Sequence, residues 1–461
     1  MREAFGLLVA NACFLAAGAG LSRALGLWRA PAEFPRVAGI AFVVGLASVG
    51  VIAPLLLIAG LALTVLQVLL LCGLLAAMGA LPASVPPWRP SAPAVSRASR
   101  VLGVAVAALI GIYLLMLLAR SWYEPQRAWD AWAMWTMKAR AIVLLDGLDT
   151  RVFAGAAYAP LHLDYPLLVP GLEAIDFRFM GRISTRVIDV QFWLLFAGFL
   201  AAAAQLLRDR VQPVLLWPGL LLLSIAPSLA IQLRWSIGDF PLALFFGLAA
   251  LAGWRYLETA ALPFAALLGI FAAAAWATKR EGLAFVVVLY AVLAVFALVR
   301  RSGPLVPLFI AMAASTLGIL PWRIWVHSHG LEPSELPLGK SISPSYLLDR
   351  TDRLGPALRG LVEQAFKPGW WIAVLPLLLI AAVVALRSDR SRPLAAFVLS
   401  LLGLMFVSLV WAYWADRPEI TKHVAHTAPR VVTSVLVVAG LFLPLLVAEL
   451  SSRTSGARTP P

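Results

Sequence analysis

Residues able to move a proton, pair with an anion or ligate a metal are few in this sequence, and they fall in short segments. Asp130 and Lys138 lie within Ala128-Trp129-Asp130-Ala131-Trp132-Ala133-Met134-Trp135-Thr136-Met137-Lys138. His162, Asp164 and Tyr165 follow between Pro160 and Pro166. Asp239 stands two residues before Pro241, and Lys279-Arg280-Glu281-Gly282 joins two long apolar runs. His423, His426 and Arg430 come near the end. Carboxylates and imidazoles can take up a proton, and lysine and arginine pair with oxyanions. Each position also has a plainer reading. Asp130 and Asp239 suit the start of a helix, and the cations suit interfacial anchors. His162 and Asp164 form only a two-ligand fragment of a metal site. Between their prolines they suit a rigid extended turn.

The elements that position these residues are set by the composition. The chain has 461 residues, 62% hydrophobic and 13% charged, against about 25% charged in soluble proteins. With a mean hydropathy of +0.89, too little polar surface remains to cover a water-soluble globule. A spanning helix needs about 20 apolar residues. Apolar windows predict thirteen helices, at 4–22, 37–57, 60–80, 101–119, 185–206, 212–232, 240–257, 261–278, 283–299, 304–325, 370–386, 393–414 and 429–449. The fold class expected is therefore an all-α polytopic membrane bundle. Residues 1–82 supply three leading helices, 83–100 a cytoplasmic linker, 101–450 a core, and 451–461 a disordered tail.

The net charge of +14 has no soluble basic domain to carry it, which argues against a nucleic-acid partner. Short loops rich in arginine explain it instead: Arg23, Arg29 and Arg36; Arg89, Arg97 and Arg100; Arg208 and Arg210; Arg300 and Arg301; Arg387, Arg390 and Arg392; Arg453 and Arg458. Such loops favour the cytoplasmic side. That puts the N-terminus outside and the C-terminus inside. The long loops 120–184, 326–369 and 415–428 then lie outside, with all five histidines and all five lysines on that face. Cys13 and Cys72 sit in apolar runs and read as small core residues. In the first long loop, Trp132, Trp135 and Ala139 fall on one side of a helix, with Trp129 near the same stripe, so an amphipathic helix along the membrane surface is expected.

This loop resembles those of GT-C superfold membrane glycosyltransferases that use polyprenyl-phosphate-linked sugars, such as protein O-mannosyltransferases and the lipid A aminoarabinose transferase. The matching positions are Asp130, the Trp-rich helix, Tyr165-Pro166-Leu167, Gly181 and Arg186, over about residues 101–190. Gly238-Asp239-Phe240-Pro241, Thr278-Lys279-Arg280-Glu281-Gly282, and His423, His426 and Arg430 extend the likeness. The three leading helices depart from the pattern, as does Ala131, where a second acid is usual. The resemblance implies an inverting single displacement that moves a sugar from a polyprenyl phosphate to an envelope lipid or glycan. It would act on the outer face of a bacterial inner (plasma) membrane. Asp130 is then the candidate base, and Lys279, Arg280 and Arg430 the ligands of the donor phosphate. His162, Asp164, Tyr165, Asp239, Lys138 and His426 bind or orient substrate. No cofactor or metal is expected, with a divalent ion as the alternative found in some members. Two other functions compete: an envelope polymer ligase using an undecaprenyl diphosphate, and a transporter or flippase, which calls for charges within the spans.

Overall fold

The computed structural model describes residues 2–81, 88, 95–301, 303–331 and 338–456, and among these the chain is helical with no strand. The first helices are α1 (Arg2–Ala24), α2 (Ala38–Ile58), α3 (Val65–Ala77) and α4 (Arg97–Tyr123). A π-helical segment, Asp130–Trp135, runs into α5 (Thr136–Leu144), followed by α6 (Leu168–Met180) and α7 (Asp189–Leu207). Then come α8 (Pro213–Ser224), α9 (Pro227–Trp235), α10 (Asp239–Thr259), α11 (Leu262–Thr278), α12 (Glu281–Arg300) and α13 (Val306–Ser328). The last are α14 (Leu354–Ala365), α15 (Val374–Ala385), α16 (Arg392–Ala415), α17 (Ile420–Val431) and α18 (Thr433–Gly456).

Each of the predicted apolar windows falls on a helix, but the helices differ in length. Among the described residues nine are long and apolar enough to cross a membrane, or ten if α8 and α9, bent by 54°, form one broken span. The bend falls where Pro227 opens α9, a residue that cannot continue the preceding helix ladder. Three windows give shorter helices, Val65–Ala80, Leu262–Thr278 and Val374–Ala385. The expected count of thirteen full spans is therefore not reached by length. The chain is a polytopic helical membrane protein.

The apolar sequence explains the layering. α10 is buried along its whole apolar window and packs on α7, α11, α12 and α18. A helix apolar all round belongs inside a bundle. α1 packs on α2, α3 and α6, and α2 continues onto α7, α11 and α13, so the leading helices join the core directly.

Three expectations change. Ser96 caps α4 by accepting from the Ser99 N–H, so this helix begins at Arg97, inside the expected linker; residues 83–87 and 89–94 of that linker lie outside the described residues. α18 continues to Gly456, past the expected start of the disordered tail, of which 457–461 lie outside the described residues. The long loop 120–184 is largely folded: α6 is almost wholly buried, with Glu173 and Asp176 on it.

Candidate functional site

The site forms where the starts of α10 and α12 meet the π-helical segment, α17 and the end of α16. One cavity of about 650 Å³ is lined by residues of all five, including Asp130, Asp239, Lys279, Arg280, Asp416 and Arg430. Stretches 300 residues apart in sequence thus share one wall, and Arg430 makes an ion pair with Asp130 across it.

Local packing fixes the first wall. In the π-helical segment the chain winds more widely than an α-helix, which breaks the expected stripe. Trp135 and Ala139 are buried, whereas Trp129 and Trp132 are each 50% exposed and meet edge to face. Trp132 therefore faces away from the stripe assigned to it. Buried Trp135 packs against Gly238, where a Cβ would come 2.5 Å from the indole ring. That contact docks Asp130's segment against the first turn of α10 and hence Asp239.

His162 and Asp164 do not sit in an extended turn. A 3-10 turn, Ala156–Leu161, ends at His162, whose φ of 50° is left-handed. Lys138, fully buried, holds this turn by donating from Nζ to the His162 carbonyl at 2.5 Å. The same ammonium lies 5.7 Å from the ring centroids of Trp135 and of Tyr165. Burial pushes it down to about 7, with the Asp164 charge opposing. Lys138 is thus a support beneath the site rather than a wall of it. Tyr165 and His162 line the cavity, and Asp164 lies behind it, paired with Arg280 at 3.2 Å.

The second wall is the junction of α11 and α12. Gly282 does not serve as a turn residue. It permits close helix approach, since a Cβ there would come 2.4 Å from the Ala275 carbonyl oxygen. Lys279 is buried and donates to Asp239 at 2.8 Å, with Glu281 at 2.9 Å. Burial opposes its charge, but Asp239 and Glu281 outweigh this and hold the ammonium above its ordinary range.

Two residues that sequence reasoning left out, Arg323 and Asp416, also line the cavity, as does Glu281, which the sequence offered only within its motif. Arg323 is on α13, and among the described residues it has neither an ion pair nor a hydrogen bond. It was overlooked because it lies inside the apolar window 304–325, where a lone arginine is itself a signal. Asp416 pairs with His423, Oδ2 to Nε2 at 3.1 Å, and Glu281 pairs with Lys279. His426, by contrast, is exposed, does not line the cavity, and bonds through Nδ1 to the Lys422 carbonyl. Among the described residues, no three His, Cys, Asp or Glu side chains come together as a metal site.

One side of the cavity is apolar. Leu283, Val287 and Val288 of α12 face Leu409 and Ala412 of α16. Val287 is 56% exposed, so this wall continues onto the outer surface of the bundle. The arrangement can hold an anionic head beside its cations and an apolar chain along α12. The chain matches no protein-family profile, no curated protein and no solved structure.

Proposed function

We propose that this protein is a membrane glycosyltransferase that moves a sugar from a polyprenyl phosphate to an envelope lipid or glycan on the non-cytoplasmic face. The observation that carries the reading is the meeting, in one cavity, of Arg323, which makes no ion pair among the described residues, and an apolar wall that reaches the bundle surface. A lipid-phosphate donor needs both. Its leaving group gains negative charge as the sugar–oxygen bond breaks, and cations aimed at that oxygen stabilise it. Its chain must stay in hydrocarbon.

Arg323 and Arg280 are the first ligands of that phosphate in this reading. Arg280 pairs with Asp164, whereas Arg323 makes no ion pair among the described residues. Lys279 and Arg430 already hold Asp239 and Asp130, so they set the field around the sugar and reach the phosphate by exchanging partners. In an inverting displacement, the acceptor hydroxyl attacks the face of the anomeric carbon opposite the phosphate. Asp130 lines the cavity, and its carboxylate is engaged by Arg430.

The test is binding to the purified protein in lipid nanodiscs. Undecaprenyl phosphate is expected to bind at least tenfold better than uncharged undecaprenol, a difference of about 1.4 kcal/mol. The Arg280→Ala, Arg323→Ala double variant is expected to lose that preference. Equal binding of the two lipids by the wild type would refute the reading. Tighter binding of undecaprenyl diphosphate would move it to a polymer ligase.

A further inference from the structure

We propose that His423, oriented by Asp416, is the base that takes the proton from the acceptor hydroxyl; this rests on the glycosyl-transfer reading above. Transfer requires one proton acceptor in the cavity, and the carboxylates there divide into two kinds. Asp130 holds Arg430, while Asp239 and Glu281 both hold Lys279. To accept a proton, each would have to release a permanent cation. Asp416 holds no such cation in an ion pair among the described residues; its partner is an imidazole.

The geometry of that pair sets its chemistry. Asp416 Oδ2 lies 3.1 Å from His423 Nε2; a proton held on that nitrogen beside the carboxylate leaves the lone pair on Nδ1. Among the described residues Nδ1 has no hydrogen-bond partner, and His423 lines the cavity. Both side chains are largely covered, at 16% and 8% exposure.

The surroundings hold the dyad in place. Arg353, itself buried, donates to the Tyr413 carbonyl at 3.3 Å and the Pro418 carbonyl at 2.9 Å, fixing the backbone on both sides of Asp416. The Tyr413 ring packs 5.1 Å from the His423 ring, and its hydroxyl bonds Thr427 Oγ1 at 2.5 Å. Thr427 in turn donates to the His423 carbonyl. A base held by a carboxylate and by packing is the arrangement that general-base chemistry needs.

The acceptor oxygen bonds to the anomeric carbon while its proton passes to His423 Nδ1. The bond from that carbon to the phosphate oxygen breaks, and the electron pair leaves with the lipid phosphate, facing Arg280 and Arg323. Asp416 stabilises the imidazolium without taking its proton, and water later removes that proton. Asp130 becomes a positioning residue that aims Arg430.

The experiment uses the full chain in nanodiscs with a panel of synthetic prenyl-phosphate hexoses and pentoses. Sugar release or transfer is measured beside undecaprenyl phosphate binding. His423→Gln is expected to lower turnover by about 10²–10⁴-fold with undecaprenyl phosphate affinity unchanged. Added imidazole is expected to restore turnover to His423→Ala, which it would not do for a folding defect. Asp416→Asn is expected to lower kcat with KM unchanged, and Asp416→Glu to recover part of the loss. Wild-type turnover in His423→Gln, with turnover abolished and lipid binding intact in Asp130→Asn, would overturn the proposal by assigning the base to Asp130; glycosyl transfer would still stand. A wild-type protein that neither prefers undecaprenyl phosphate nor releases sugar from any donor would overturn the reading and the proposal together.

Discussion

The two ends of α10 carry ionic clusters of opposite character. At one end Asp239 meets Lys279 beside an open cavity. Sixteen residues on, about 24 Å at 1.5 Å per residue, Arg255 pairs with Asp209 and with Glu258. Arg210 joins Glu258 at 3.1 Å and Glu449 at 2.7 Å, and Arg390 reaches Glu449 at 3.2 Å. This second cluster ties the α7–α8 turn, α10, α18 and the α15–α16 turn together. Its cations are matched by acids, and the Arg255 side chain is only 3% exposed. Among the described residues, the first cluster leaves Arg323 outside any ion pair and His423 Nδ1 without a hydrogen-bond partner, with room beside them for a ligand. Buried charge by itself therefore marks no site in this molecule; charge held back from pairing, next to space, does.

The contrast can be broken most forcefully at the closed end. Asp209→Ala leaves the buried Arg255 with Glu258 alone, at 3.3 Å; breaking a buried pair costs about 3–5 kcal/mol when nothing else compensates the charge, so a loss of up to about 3 kcal/mol is expected here. A large fall in melting temperature and in folded yield is expected in detergent, while the protein that survives keeps its preference for undecaprenyl phosphate. Arg323→Ala should show the reverse. With no ion pair to break among the described residues, its melting temperature is expected to stay near wild type. Undecaprenyl phosphate affinity should fall by roughly ten- to a hundredfold, the worth of a charge-assisted hydrogen bond.

Gly238→Ala sharpens the comparison at the open end. The new methyl displaces Trp135, and overpacking of this kind costs about 1–3 kcal/mol. Because Trp135 joins the segment of Asp130 to the start of α10, sugar transfer is expected to fall more than lipid binding does. Measuring both in one preparation checks this.

Lys138→Met gives an effect whose sign depends on pH. The unfolded chain keeps the ordinary lysine value of 10.5, whereas the folded value is about 7. Between these the unfolded chain binds more protons, so wild-type stability rises as pH climbs from about 7 toward 10 and lacks that gain below 7. The variant has no such dependence. A thermal series from pH 6 to 10 should show the wild type gaining on the variant across that window.

Helices were legible in the sequence because apolar runs of spanning length leave little alternative. Their lengths were less so: α8 and α9 read as one window, and only the geometry at Pro227 shows the 54° break. Among the site residues, Asp130, Asp239, Lys279, Arg280 and Arg430 were visible as charges at the edges of apolar runs, and the fold brings them to one cavity. Arg323 was hidden by the window around it. Asp416 carried no local signal, since its meaning depends on α17 folding back to bring His423 within 3.1 Å. The facing of Trp132 was misread because an α-helical period was applied to a π-helical segment. The left-handed His162 depends on a lysine 24 residues earlier, a contact no local pattern encodes.

The most direct test of the central claim is a structure of the protein in nanodiscs with undecaprenyl phosphate. The expected result is phosphate density between Arg280 and Arg323, with the isoprenyl chain leaving along Leu283 and Val287. Lipid phosphate bound instead at the Arg255 end of α10, or a cavity that stays empty while lipid coats the outer helices, would contradict it.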